Sequence, residues 1–182
     1  MKIIFLGGQG SGKSTQAKFL SEKLVLPYVE MGQLLRDRAQ KDNQHGKQIK
    51  DTLAKGHLVE NEITIDLLKS KIEGKDYKKG YILDGYPRNG VQLAALDPDI
   101  DIVFYIKVSD EEAIKRLLLR KRSDDTKDAL EKRLEIYHEQ TEPLLEKFRQ
   151  RGILKEVNGE IPIEEIHKEV VNIVNAEKGA NA

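Results

Sequence analysis

No cysteine occurs anywhere in the 182 residues. That one absence excludes a disulfide scaffold, a thiolate zinc site and a cysteine nucleophile. An excess of one charge is missing too. Lys+Arg and Asp+Glu both number 31, so the chain lacks the basic surplus of a non-specific polyanion binder. Any anion site must be local, and no nucleic-acid partner is expected. The opening apolar run, Ile3 to Leu6, is four residues long before glycines follow, too short for a signal peptide or a membrane span. A cytoplasmic protein with no membrane partner is the expectation. Repeats are lacking, and the one low-complexity stretch is the polar tail 177–182. Aromatic residues make up 5%, against 38% hydrophobic and 34% charged, a composition typical of a helix-rich globular protein. The length suits one domain spanning 1–182 with room for a small excursion.

What is present alternates. Short runs rich in β-branched and aromatic residues fall at 3–6, 28–29, 81–83, 102–106 and 153–157, and each is bounded by turn or charged residues. Helical patterns lie between them, at 13–24, 33–40, 47–55, 62–73, 91–96, 110–122, 126–149 and 163–176. Strands alternating with helices predict an α/β protein with a five-stranded parallel sheet covered on both faces. In 126–149 a stripe of Leu130, Leu134, Tyr137, Thr141, Leu144 or Leu145, and Phe148 runs along one face as core packing, with a kink expected at Pro143. The helices at 33–40 and 47–55 have no strand between them and are expected to leave the sheet as a small excursion, at about 30–60, of the kind that closes over substrates.

Gly7-Gly8-Gln9-Gly10-Ser11-Gly12-Lys13-Ser14 fits the phosphate-binding P-loop pattern in full, after an apolar strand and before a helix. The glycines let successive N–H groups point at phosphate oxygens, and the helix N-terminus adds partial positive charge. Gly8, Gln9, Gly10, Ser11 and Gly12 would cradle the donor, Lys13 would neutralise its β/γ region, and Ser14 offers a hydroxyl to Mg²⁺. A dinucleotide fold would need its own glycine fingerprint and a later acidic ribose ligand. The loop points to a nucleoside triphosphate and leaves the acceptor open.

The third strand closes on Asp84, where a P-loop fold places the carboxylate that orients the water shell of Mg²⁺. A rigid turn and a guanidinium follow in Gly85-Tyr86-Pro87-Arg88, with Gln92 four residues further on. With this motif beside the P-loop, the chain resembles the nucleoside monophosphate kinases, adenylate kinases most closely, from the P-loop to Val157-Asn158-Gly159. The resemblance implies a doubly wound sheet in the order 2-3-1-4-5 with a helical acceptor-binding insertion. It also implies transfer of a phosphoryl group between Mg·ATP and AMP, giving two ADP, by a monomer or small homo-oligomer serving adenine nucleotide balance.

Residue by residue, the resemblance makes Arg88 a clamp on the monophosphate and Gln92 the reader of the adenine edge. Gly32-Gln33-Leu34-Leu35-Arg36 resembles a stretch whose arginine, here Arg36, is the second clamp. Met31, Gly32, Gly85 and the segment Gly56-His57-Leu58-Val59 would line the acceptor pocket. A guanidinium suits both clamps because its planar fork binds phosphate oxygens bidentately. Arg116 and Arg120 share a helix face. Arg122-Ser123-Asp124-Asp125, and Arg133-Leu134 followed by Tyr137, resemble the family patterns that surround the transferring group. Arg120, Arg122 and Arg133 are therefore expected there, with Arg122 and Arg133 also reaching AMP, and Arg120 and Arg116 on ATP, Arg116 nearer its adenine.

The chain departs from the family pattern in three places. It reads Gly12-Lys13-Ser14-Thr15 where the family usually has Gly-Lys-Gly-Thr, so Ser14 and Thr15 both stand as metal candidates. Met31 replaces a small hydroxyl residue, which keeps a UMP or CMP kinase in view, although Gln92 opposes it. Between Arg120 and Arg122 only Lys121 remains of the lid, so 120–124 is at most a vestige, and closure falls to the excursion or to a neighbouring subunit. A nucleotide-dependent switch or binding module is the rival of another class, yet a switch has no use for a monophosphate clamp. His45, His57, His138 and His167 show no metal spacing and are expected to be structural or solvent-facing.

Overall fold

A computed structural model describes residues 1–41, 44–120 and 126–180, the side chains of Arg120 and Ala180 excepted. Its centre is β1 (Lys2–Leu6), because consecutive residues there are apolar on both faces of the strand. Ile3 and Phe5 enter one hydrophobic layer, Ile4 and Leu6 the other, as the two-residue period of a strand requires. Beside β1 lie β3 (Tyr81–Asp84) and β4 (Ile102–Lys107), flanked in turn by β2 (Tyr28–Glu30) and β5 (Leu154–Asn158). The order is β2-β3-β1-β4-β5, the expected 2-3-1-4-5, and every pairing is parallel, with Ile3 opposite Ile82 and Ile102. Parallel neighbours need crossovers, and helices supply them on both faces.

On one face α1 (Lys13–Leu24) and α9 (Ile163–Ala180) bury Ala17, Leu20, Ile166, Val170 and Val174 against Ile3, Phe5, Phe104 and Ile106. On the other, α2 (Met31–Ala39), α3 (Gln44–Ala54), α4 (Asn61–Ile72) and α8 (Leu144–Gln150) contribute Leu35, Ile49, Leu68 and Phe148 to a layer with Ile4, Leu83 and Val103. The short α5 (Gly90–Ala94) follows β3, and α6 (Asp110–Arg120) follows β4. The helices expected at 33–40 and 47–55 correspond to α2 and α3, which pack on each other. Helix α2 begins two residues early because Met31 belongs to the core, so the chain turns from β2 into the helix without a loop.

The expected helix 126–149 is divided. α7 (Lys127–Ile136) runs into a π turn, Tyr137–Thr141, before α8 begins. In that turn the Glu142 N–H donates to the carbonyl of Tyr137, five residues back, at 2.8 Å. Pro143 has no N–H to continue the ladder, so the expected kink becomes a wider turn and a fresh start. The vestigial lid expected at 120–124 falls, except for the backbone of Arg120, outside the described residues.

Phe104 is sealed from solvent in the first layer and stacks on Phe5 with ring centroids 5.0 Å apart. Phe104→Ala should cost about 3–5 kcal/mol through lost burial and the cavity it leaves. Urea unfolding should show a lower midpoint at an unchanged slope; a loss below about 1 kcal/mol would contradict the packing described.

Candidate nucleotide-binding cleft

At the carboxyl ends of β1 and β3 the chain opens a cleft of about 640 Å³, a size suited to a small-molecule ligand. The loop after β1 forms one wall and is pinned from two sides. Gly7, at φ +149, lies so close to β4 that a Cβ there would stand 2.6 Å from the carbonyl oxygen of Ile106. Gly10, at φ +81, approaches α6, where a Cβ would meet the Ala113 carbonyl at 2.5 Å. Only glycine accepts both the backbone angle and the contact. From this loop Lys13, almost fully buried, donates from Nζ to the Gly8 carbonyl at 3.1 Å. The lysine is thus folded back over its own loop.

The cleft is lined by Lys13, Lys18, Arg36, Arg88, Arg116 and Arg133, six cations, against the carboxylates of Glu30 and Asp84. A chain with no net charge has therefore gathered positive charge in one place. Several of the cations are tethered. Arg36 donates from Nη2 to Glu30 at 2.8 Å, and Arg116 from Nε to Glu112 at 2.8 Å. Arg88 donates from Nε to the Gly85 carbonyl at 2.8 Å, and Arg133 from Nη2 to the Leu53 carbonyl at 3.1 Å. Burial pulls the Arg88 guanidinium below its ordinary pKa, with Asp84 opposing that shift and Arg133 and Arg36 adding to it.

Asp84 closes β3 and is buried. Its Oδ2 accepts from the Tyr28 hydroxyl at 2.9 Å, while Oδ1 has no partner among the described residues. Burial, and then the charges of Asp84 and Glu30, push the Tyr28 hydroxyl far above the usual tyrosine range, so it remains a donor. An unpartnered buried carboxylate oxygen, in the same cleft as the Ser14 and Thr15 hydroxyls, fits the oxygen-rich, partly hydrated environment of Mg²⁺. Among the described residues no group of three or more His, Asp and Glu could hold a metal ion unaided.

Of the residues singled out from sequence, Gln9 to Thr15, Gly32, Arg36, Leu58, Asp84, Gly85, Arg88, Arg116 and Arg133 line this cleft. Gly8 faces the neighbouring cavity and enters the site through its carbonyl. Met31, Val59 and Gln92 are buried and do not line the cleft. Arg122 and the Arg120 side chain lie outside the described residues. Tyr28, Glu30, Asn61, Asn89 and Thr141 are not expected at the site from sequence, whereas His138, expected to be structural or solvent-facing, is a partly exposed bridge between two carboxylates. Tyr28, Asn61 and Thr141 carry no local motif, because each acts through a partner at least 28 residues away in sequence.

Two anchors come from the π turn. Thr141 donates from Oγ1 to the Arg88 carbonyl at 2.8 Å, holding the loop after β3. His138 lies between Glu142, at 2.8 Å from Nδ1, and Asp110, at 3.1 Å from Nε2. It so ties the start of α6, the helix of Arg116, to the turn.

A P-loop on the central strand of a 2-3-1-4-5 sheet, facing paired guanidinium groups across one cleft, defines a P-loop nucleoside monophosphate kinase. A family model for adenylate kinase matches residues 5–153. An adenylate kinase of Prochlorococcus marinus (strain MIT 9515) is 40% identical over 175 residues, covering 92% of this chain and 95% of that protein. One of Xylella fastidiosa (strain 9a5c) is 38% identical over 182 residues, with 94% and 97% covered. One of Archaeoglobus fulgidus is 34% identical over 212 residues, with 96% and 98% covered. The chain belongs to the adenylate kinase family. The last alignment is longer than the 182 residues present here, so that relative carries residues without a counterpart in this chain.

Both ring nitrogens of His138 face carboxylates, Glu142 first and then Asp110, and its pKa is raised. The imidazolium that satisfies both is thus favoured in the folded state. Its contribution should be complete below the unfolded value of about 6.5 and vanish as pH rises through the elevated folded value. Comparing wild type with His138→Gln by urea unfolding across pH should show a gap of at most about 1 kcal/mol, since the site is partly screened by solvent. The gap should be widest at low pH; one that widens with rising pH would contradict the assignment.

Proposed function

We propose that this cleft transfers the γ-phosphoryl group of ATP reversibly to the phosphate of AMP, giving two molecules of ADP. The observation that carries the reading is the convergence of P-loop and acceptor-side cations on one cleft. Lys13 and the amides of residues 8–13 hold the donor phosphates. Arg36 and Arg88 hold the acceptor phosphate, with α2 and α3 as the acceptor-binding insertion. Because Arg36 is paired with Glu30, the incoming phosphate takes over that partner's role. A phosphate oxygen of AMP forms a bond to the γ-phosphorus as the bond to the β–γ bridging oxygen breaks. The attacking oxygen is already anionic, so no side chain need remove a proton. Catalysis is then positioning and electrostatic stabilisation, which Arg133 and, from the lid vestige, Arg120 and Arg122 supply around the equatorial oxygens, with Arg116 nearer the adenine of ATP.

Asp84, with Ser14 or Thr15, would hold Mg²⁺ partly through water, and the ion would neutralise charge on the β- and γ-phosphates. Gln92 reads the base, with Met31, Gly32, Gly85, Leu58 and Val59 shaping its surroundings, and AMP is the acceptor, the Gln92 amide matching adenine and mismatching uracil. The reading is of a cytoplasmic enzyme acting as a monomer or small homo-oligomer, with no membrane or nucleic-acid partner. Among the described residues no helix is long and apolar enough to cross a membrane.

Lys13→Ala should keep the fold and lower turnover about 10²-fold or more, the scale of one preorganised transition-state contact. Near-normal turnover in a folded variant would remove the donor-site assignment. Arg88→Lys keeps the charge and loses the fork, so steady-state kinetics should show a raised KM for AMP with little change in the KM for ATP. Equal damage to both substrates would mean that Arg88 is no acceptor clamp.

A further inference from the structure

Gln92 is only 2% exposed, and both ends of its amide are held. The Arg88 backbone N–H donates to Gln92 Oε1 at 2.8 Å. Gln92 Nε2 donates to Asn61 Oδ1 at 3.2 Å. Asn89 completes the group: its Oδ1 accepts from the Gln92 backbone N–H at 3.0 Å, and its Nδ2 donates to the same Asn61 Oδ1 at 2.8 Å. Backbone N–H groups can only donate, so they fix the orientation of every amide in this network. The Arg88 N–H demands an oxygen from Gln92, which turns Nε2 towards Asn61. The Gln92 N–H demands an oxygen from Asn89, which turns Nδ2 towards Asn61 as well. Both chains of donors end on one atom, and that atom has to be an acceptor.

We infer that Asn61 is a positioning residue for base selection, fixing through its Oδ1 the donor–acceptor sense in which Gln92 meets the acceptor nucleotide. With one N–H of Nε2 and one lone pair of Oε1 committed, one of each remains. That pair matches the amino donor and ring-nitrogen acceptor of adenine and mismatches the reversed order of guanine and uracil. Without an acceptor at position 61, Nε2 and the Asn89 amide both lose their partner, and Gln92 keeps a single tether at Oε1. Asn61 is the first residue of α4, 31 residues from Gln92 in sequence. The excursion side of the cleft thereby sets the orientation of a group on the β3 side. A carboxylate would serve equally, since it is acceptor-only and is favoured in the first turn of a helix.

The inference rests on Gln92 as base reader, and the experiment separates the two. In wild type, Asn61→Leu, Asn61→Asp, Gln92→Leu and the double variant Asn61→Leu/Gln92→Leu, kcat and KM are measured for AMP, GMP and UMP at saturating Mg·ATP, with the KM for ATP and thermal unfolding alongside. Asn61→Leu should raise the KM for AMP on the order of 10-fold, the scale of orphaning a buried polar group, and lower the preference for AMP over GMP and UMP. The kcat and the KM for ATP should stay near wild type. Asn61→Asp should retain the AMP preference, and in the Gln92→Leu background Asn61→Leu should add nothing further. An unchanged KM for AMP in folded Asn61→Leu, a lost preference in Asn61→Asp, or additive effects in the double variant would each overturn the role of Asn61. Wild type preferring UMP or GMP would instead overturn the reading of the cleft. Should Asn61→Leu not fold, Asn61→Asp decides: an AMP preference kept with an unchanged KM supports the acceptor role, and its loss overturns it.

Discussion

The site depends first on how closely the loop after β1 lies between β4 and α6. At Gly7 and Gly10 there is no room for a side-chain carbon, since the carbonyls of Ile106 and Ala113 already fill the space. The loop is thereby pressed onto the end of the central strand and cannot spread into solvent. With β1 paired to β3 on one side and β4 on the other, the segments leaving β1 and β3 emerge side by side. That is the crevice at the carboxyl end of a parallel sheet where ligands gather in open α/β folds. The loops after β1 and β3, proposed to hold donor and acceptor, therefore face each other as a consequence of strand order once the first is pinned.

The second constraint is electrostatic. Six cations lining one cleft repel one another, and burial adds to the cost at Arg88, whose guanidinium it disfavours. The structure offsets this without filling the cleft with carboxylates. Glu30 and Glu112 each take one arginine, and the carbonyls of Gly85, Leu53 and Gly8 take Arg88, Arg133 and Lys13. Carbonyl dipoles hold a cation in place while cancelling less of its charge than a carboxylate would. The cleft therefore keeps a strong positive field with its groups already oriented, the preorganisation that phosphoryl transfer needs.

Both halves of the site were legible wherever function sits in a local run of residues. The P-loop and Asp84-Gly85-Tyr86-Pro87-Arg88 could be read directly because backbone geometry fixes their spacing, and the strands because each is apolar on both faces. Asn61, Thr141 and Glu30 could not. Asn61 meets Gln92 from 31 residues away, and Thr141 meets Arg88 from 53, so nothing local marks either. Pro143 announced a break in the long helix without revealing the π turn that precedes it, because that turn answers to packing. Its Tyr137 and Thr141 are buried on the cleft side while His138 faces outward.

That turn explains how the two walls keep their spacing. Thr141 grips the Arg88 carbonyl of the acceptor loop, and three residues earlier His138 bridges to Asp110 at the head of α6, the helix against which Gly10 is pressed. Four residues before the turn, Arg133 of α7 reaches the Leu53 carbonyl near the end of α3. One stretch of chain thus touches the donor loop's support, the acceptor loop and the excursion. In a regular α-helix residues 137, 138 and 141 would project at steps of 100° per residue, so that Tyr137 and Thr141 nearly overlie each other and His138 stands aside. The extra residue in the π turn widens that arc, so that Thr141 meets the loop after β3 while His138 meets the head of α6. A displacement of about 1 Å between reacting groups can cost on the order of 10²-fold in rate, so a rigid element shared by both walls is a physical requirement of the chemistry.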